Sequence, residues 1–244
     1  MSRRLKLLAC AIVLVIALAG AGLWWFLRDD APAAVDLDTA VGSVQPADGE
    51  TTTTSGGVDA IDGTWTVDTQ TGDFDYESAT GTFAGFRVDE ELSSIGSTTA
   101  VGRTGDVSGE AEIDGTTLTA ATFEVDLTTI TTNESRRDDK VQQALDTGEY
   151  PTATFTLTEP IDLGDDAATG AAVDVTATGD LTIHGVTRQV EIPLQARLVD
   201  GTVVVVGSLD LTFSDYEVDV PQSPVVLSVD DHGTLELQLL LTRS

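Results

Sequence analysis

Two histidines, one cysteine and one short basic run are the residues of this 244-residue chain best suited to chemistry. His184 closes the string Leu181-Thr182-Ile183-His184-Gly185 at a turn glycine. As a general base it would need a nucleophile and an orienting acid, and the sequence marks neither beside it. The plainer reading is a turn histidine whose ring bonds a backbone group. His232, in Asp230-Asp231-His232-Gly233, reads as an exposed turn residue. No G-x-S-x-G, P-loop, helix-opening G-x-G-x-x-G or H-E-x-x-H is present. The acid pairs Asp165-Asp166 and Asp230-Asp231 lack the alternating spacing of a calcium loop. A single cysteine, Cys10, excludes a disulfide framework and a cysteine-based zinc site. The expectation is a protein that binds rather than catalyses, with no cofactor and no metal. The remaining feature is Arg136-Arg137-Asp138-Asp139-Lys140, which holds three of the eight basic residues found from Asp29 onward. A local positive spot of this kind can steer an anionic headgroup.

Those residues sit in a strongly acidic chain. From Asp29 to the end there are 8 basic and 41 acidic residues, so nucleic acid would be repelled. Solubility accounts for such acidity, and adaptation to high salt is the sharper alternative. The first 28 residues are the opposite: four basic residues and no acid. Leu7 to Leu27 carries no charge. As a helix rising 1.5 Å per residue it would span roughly 31 Å, about the hydrocarbon thickness of a bilayer. Basic residues precede it, and Trp24, Trp25 and Phe26 stand at its far end as an interfacial belt would. Residues 1–28 are therefore expected to be a signal anchor, membrane-bound through residues 7–27, single-pass, with the body on the extracytoplasmic side. A cleaved signal peptide is the alternative, since Ala17-Leu18-Ala19 follows an apolar run. Lipidation at Cys10 fits less well, because the apolar run follows the cysteine. Residues 29–60, acidic and rich in Ala, Thr, Gly and Ser, read as a flexible linker with a reach on the order of 30 Å.

Residues 61–244 must position whatever site exists, and their pattern is all-β. Phe123-Val125-Leu127, Ala153-Phe155-Leu157, Val190-Ile192-Leu194-Ala196-Leu198, Leu209-Leu211-Phe213 and Leu235-Leu237-Leu239-Leu241 alternate with Thr or charged residues. Antiparallel strands with one buried face and one wet face require this. Asp114-Gly115 and Asp200-Gly201 mark hairpins. Ser135–Leu145 breaks the pattern: Ser135 and Asp138 have capping-box spacing, Val141, Ala144 and Leu145 share a face, and Gly148 is a stop. One short helix is predicted over an edge or mouth of the sheet. About eight half-apolar strands can close as a barrel or stack as a sandwich.

The order of several strings narrows the choice. Gly63-Thr64-Trp65-Thr66-Val67-Asp68 is followed by Gly102-Arg103-Thr104, Arg137-Asp138, Glu149-Tyr150-Pro151-Thr152-Ala153-Thr154-Phe155, Gly179-Asp180-Leu181-Thr182-Ile183-His184-Gly185-Val186-Thr187 and Phe213-Ser214-Asp215-Tyr216. This resembles the YceI-like family of secreted or periplasmic polyisoprenoid-binding proteins, from about Gly63 to Leu241. The resemblance implies a lipocalin-like antiparallel β-barrel with a helix near its mouth and an apolar tunnel holding an isoprenoid chain, polyprenyl or quinone. The sequence departs from the family where a histidine often occurs early in the domain, here Phe86-Arg87-Val88-Asp89-Glu90, and at Ser214-Asp215-Tyr216, where "FG" is usual.

Under that resemblance the candidate tunnel residues are Phe83, Phe86, Phe123, Val125, Leu127, Phe155, Leu157, Leu181, Ile183, Leu211, Phe213 and Tyr216. Arg136, Arg137 and His184 are the headgroup candidates. The same alternation would equally select the core of a solid barrel. The competing expectation is therefore a packed, non-catalytic domain whose acidic surface meets a protein partner or responds to stress; two barrels could also pair as a homodimer.

Overall fold

Among the described residues eleven strands emerge from the alternating segments, and pairing joins them into a barrel of eight staves. The computed structural model describes residues 31–44, 61–92, 96–219 and 226–244. The strands are β1 Gly63–Val67, β2 Phe83–Leu92, β3 Gly96–Thr104, β4 Val107–Asp114, β5 Thr117–Asp126, β6 Thr152–Leu157, β7 Ile161–Asp162, β8 Val173–Ile183, β9 Val186–Val199, β10 Thr202–Thr212 and β11 Val226–Arg243. The long β11 pairs with β10 along one edge. Along the other it pairs first with β2, from Val226 to Gln238, and then with β1, from Leu241 to Arg243. β1 and β2 are thus two halves of one stave, and β3 and β4 are two halves of the next. The remaining pairs run β4-β5-β6-β8-β9-β10, and β1 with β11 closes the ring. Every described pairing is antiparallel, and apart from the closure by β11 each stave pairs with the next along the chain, which is an up-and-down barrel.

The hairpins form where turn residues tolerate positive φ. Asp200 and Gly201 lie at φ 49° and 86°, and His184 and Gly185 at 52° and 74°. Two successive left-handed residues are what a type I′ turn needs.

One end of the barrel is filled. Trp65 is 2% exposed and its Nε1–H donates to Ile61 O at 2.7 Å. Val107, Leu239 and Leu241 pack with it. Ile61, Ala167 and Ala168 form a plug below, from a short 3-10 turn at Asp165–Thr169.

Two α-helices are described rather than the one expected. The predicted one, α2, spans Ser135–Ala144. Its cap differs from the predicted box. Asp138 Oδ1 accepts from Thr132 N and Thr132 Oγ1, both at 2.7 Å, so the helix is tied to the residue three before its start. The chain leaves the helix at Asp146, with φ 44°, ahead of Gly148. The other helix, α1, spans Leu37–Val44, inside the segment read above as a flexible linker. Asp36 Oδ1 accepts from Thr39 N at 2.9 Å and starts it. Leu37, Ala40 and Val41 pack on Val199, Val204, Val206 and Leu240, making a small core on the outer wall of the barrel. The chain before α1 is held by a buried triad. Glu236 lies 3.2 Å from Arg87 Nε and 3.5 Å from Arg103 Nη2. The two guanidiniums donate to Pro32 O at 2.8 Å and Ala33 O at 2.7 Å. Burial draws the Arg103 pKa down and the Glu236 charge opposes that shift. The predicted membrane segment, residues 7–27, lies outside the described residues, and no helix among the described residues is long and apolar enough to cross a membrane.

Candidate functional site: an apolar lumen beneath a basic helix

Between the plug and α2 the barrel encloses a cavity of about 240 Å³. Its walls come from nearly all the staves, and each contributes through the same alternation. On β2 the inward residues are Ala84, Phe86, Val88 and Glu90; on β11 they are Leu235, Leu237 and Leu239. α2 lays Val141, Ala144 and Leu145 over the opening, with Arg137 and Lys140 beside them. A second short turn, Phe213–Tyr216, brings Phe213 and Tyr216 to the same end.

Of the residues selected from sequence, Phe86, Phe123, Val125, Leu127, Phe155, Leu181, Ile183, Leu211, Phe213 and Tyr216 line this cavity. Phe83 and Leu157 do not. Phe83 is three residues from Phe86 on one strand, so the two face opposite sides of the sheet. Phe83 is 2% exposed on the outer wall, with the Arg103 guanidinium 4.6 Å above its ring. Leu157 keeps the inward phase but is the last residue of β6. Sequence reasoning passed over Val88, Glu90 and Ile130, which also line the cavity. Val88 shares its phase with Phe86 and was legible; Glu90 and Ile130 were hidden, because a glutamate on an inward phase and an isoleucine in a loop carry no pattern.

Four inward phenylalanines owe their posture to glycine. Phe86 lies over Gly102 of the next strand, Phe123 over Gly109, Phe155 over Gly179 and Phe213 over Gly233. A Cβ on Gly102 would fall 2.5 Å from Phe86 Cε1, and one on Gly109 would fall 2.6 Å from Phe123 Cδ1. With no side chain beneath them, the rings lie against the wall instead of projecting across the lumen. The cavity stays open although four large aromatics border it.

The headgroup candidates separate in space. Arg137 lines the cavity and pairs with Glu90, whose side chain is only 6% exposed. Arg136 is exposed on the outer side of α2. His184 sits in the β8–β9 turn, its Nδ1 3.2 Å from Tyr216 O and its ring edge-on to Tyr150 at 4.8 Å between centroids. It braces the Tyr216 turn against the hairpin. Burial pushes the Tyr216 phenol above its ordinary pKa, with Arg188 opposing and Asp215 adding to the shift. Among the described residues no three His, Cys, Asp or Glu side chains converge as metal ligands would.

An eight-staved antiparallel barrel, plugged at one end and holding an apolar chamber under a helix at the other, is a lipocalin-like barrel. The chain belongs to the YceI-like family: the YceI-like domain model matches residues 35–241. That match begins before the 61–244 domain expected from sequence and takes in α1. A UPF0312 protein of Vibrio vulnificus is 33% identical over 106 residues, covering 42% of this chain and 52% of that protein. Protein YceI of Escherichia coli is 40% identical over 77 residues, 31% of this chain and 35% of the other. The chain spans about half the length of the Vibrio vulnificus relatives it matches. Among solved structures, a polyisoprenoid binding domain from Saccharophagus degradans, implicated in plant cell wall breakdown, superposes with a TM-score of 0.55 at 20% identity, covering 74% of this chain and 98% of that one. BcnA of Burkholderia cenocepacia gives 0.51 at 19% identity, over 65% and 94%. At such identities the likeness is one of fold.

Proposed function

We propose that this protein holds the chain of an isoprenoid lipid in the barrel lumen, as a binder rather than an enzyme. The observation that carries the reading is the predominantly apolar wall from Val107 and Leu239 at the plug to Val141 and Leu145 at α2. A slender apolar chain gains roughly 0.8 kcal/mol per buried CH2, so each five-carbon unit is worth about 4 kcal/mol before ordering costs. Affinity of that origin needs few polar contacts, and few line the chamber. The polyisoprenoid-binding domain of similar fold supports the choice of ligand.

The uncharged Leu7–Leu27 stretch, with basic residues before it and Trp24 and Trp25 at its end, supports anchorage in a cell membrane with the barrel on the extracytoplasmic side. Protease added to intact spheroplasts should then degrade the barrel while a cytoplasmic marker survives; protection would place the barrel inside.

The ligand is tested by native mass spectrometry of the full chain, purified in mild detergent from a membrane-containing host, with organic extraction of the same sample. A bound mass that extracts as a quinone or polyprenyl species is the expected result. An apo mass that takes up no added isoprenoid would instead favour a barrel that serves as an interaction domain.

A further inference from the structure

The mouth of the chamber carries a charge arrangement that bears on which isoprenoid enters. This step rests on the isoprenoid reading above and goes beyond it. Three charged side chains belong to the chamber itself: Glu90, Arg137 and Lys140. Glu236, though it borders the lumen, spends its carboxylate on Arg87 and Arg103 at the outer wall. Glu90 is 6% exposed and bonds Arg137, while Arg137 also bonds Asn133 Oδ1. The mouth's deeper cation is therefore already neutralised by a carboxylate fixed on a barrel strand. Lys140, at the rim, donates to Gln143 Oε1 at 3.2 Å and shares its helix with Asp138 and Asp139.

We infer that Glu90 makes the mouth selective for isoprenoids with an uncharged headgroup, a quinone or an alcohol, and against those ending in phosphate or diphosphate. At Lys140 a phosphorylated headgroup would lie beside the Asp139 carboxylate of the same helix, and to reach the deeper cation it would have to take Arg137 from Glu90. That would leave a carboxylate buried without its partner next to a second anion, and both effects oppose binding. The body beyond the mouth adds repulsion, with 41 acidic against 8 basic residues from Asp29 on. A quinone carbonyl or a hydroxyl needs no such exchange. It can accept one further N–H from Arg137 or Lys140 while the Glu90 pair stays intact.

The test compares probes of equal chain length on the detergent-solubilised full chain: menaquinone with four isoprene units, geranylgeraniol, and geranylgeranyl mono- and diphosphate. Binding is followed by native mass spectrometry in competition. The quinone and the alcohol should outcompete the diphosphate at least tenfold, and Glu90→Gln should shrink that margin at least threefold. A wild-type protein that prefers the diphosphate, or takes all four alike, overturns the inference while leaving isoprenoid binding standing. Failure to bind any of the four overturns the underlying reading as well. The wild-type comparison decides the matter even where Glu90→Gln folds poorly.

Discussion

Gly102→Val is the substitution that most directly tests how the lumen is kept open. The introduced Cβ would stand 2.5 Å from Phe86 Cε1, 2.7 Å from Phe86 Cζ and 3.1 Å from Ile130 Cγ2. Carbon atoms rest at about 3.5–4.0 Å, so the ring must move by roughly 1 Å or more. The wall behind the ring is the β3 backbone itself, so the ring moves into the chamber. Overpacking of this kind costs about 1–3 kcal/mol of stability. The effect on ligand is separable. A ring standing across the lumen that displaces three or four methylenes of the bound chain removes about 2.4–3.2 kcal/mol at 0.8 kcal/mol each. That is a loss of affinity on the order of 50- to 200-fold. Quenching of intrinsic fluorescence by added menaquinone measures it, and circular dichroism melting reports the stability. Adding Phe86→Ala to Gly102→Val takes the ring away and should restore most of the binding. The reasoning is refuted if Gly102→Val melts lower yet binds within threefold of the parent, or if the double substitution binds no better than the single one.

Other expectations follow from the same geometry. Phe155→Trp and Leu211→Trp, both in the chamber wall, should abolish retention of co-purified lipid while leaving a folded barrel; retention unchanged in both would show that the chain runs elsewhere. Glu236→Leu leaves Arg87 and Arg103 without their shared carboxylate, which at such burial should cost about 3–5 kcal/mol and lower the melting temperature by roughly 6–20 °C; a fall under 3 °C would mean that the triad contributes little. Asp231 accepts from Ser214 Oγ at 2.5 Å and Ser214 N at 2.9 Å, and these bonds, the side-chain one foremost, hold its pKa below the usual carboxylate value. A depressed carboxylate stabilises the fold above its unfolded pKa, about 3.9, and that support is lost as pH falls through the lower folded value. Asp231→Asn should therefore melt earlier than the parent at neutral pH, with the gap closing below about pH 4; a gap that persists in acid would contradict this.

The inward half of the barrel was legible because alternation is a physical requirement of a half-buried strand. Phe123 and Val125 on β5 and Leu181 and Ile183 on β8 could be assigned from phase alone. The Phe83 assignment failed on parity, since an odd separation on one strand cannot serve one face. The outer wall was harder. Val203–Val206 and Leu239–Leu241 are unbroken apolar runs, and such runs mean both faces are covered. What covers the outer face is α1, whose Leu37, Ala40 and Val41 do have helical spacing, but over too few residues to stand out against acidic, Thr-rich surroundings. Glu90 could not be found at all from sequence. Its meaning comes from Arg137, 47 positions away, and only the closure of the barrel under α2 brings the two together.

The clamp on Pro32 and Ala33 changes the mechanics of attachment. A chain free from residue 29 to residue 60 would let the barrel wander on a long leash. With the backbone gripped by Arg87 and Arg103 at Pro32, only residues 28–31 separate that grip from the apolar stretch ending at Leu27. At no more than about 3.6 Å per residue, the five steps from Leu27 to Pro32 span at most ~18 Å. Where residues 7–27 sit in a bilayer, the barrel is thus moored at the headgroup layer like a vessel against a quay. A barrel so moored stays within reach of one patch of membrane and does not diffuse to a distant one.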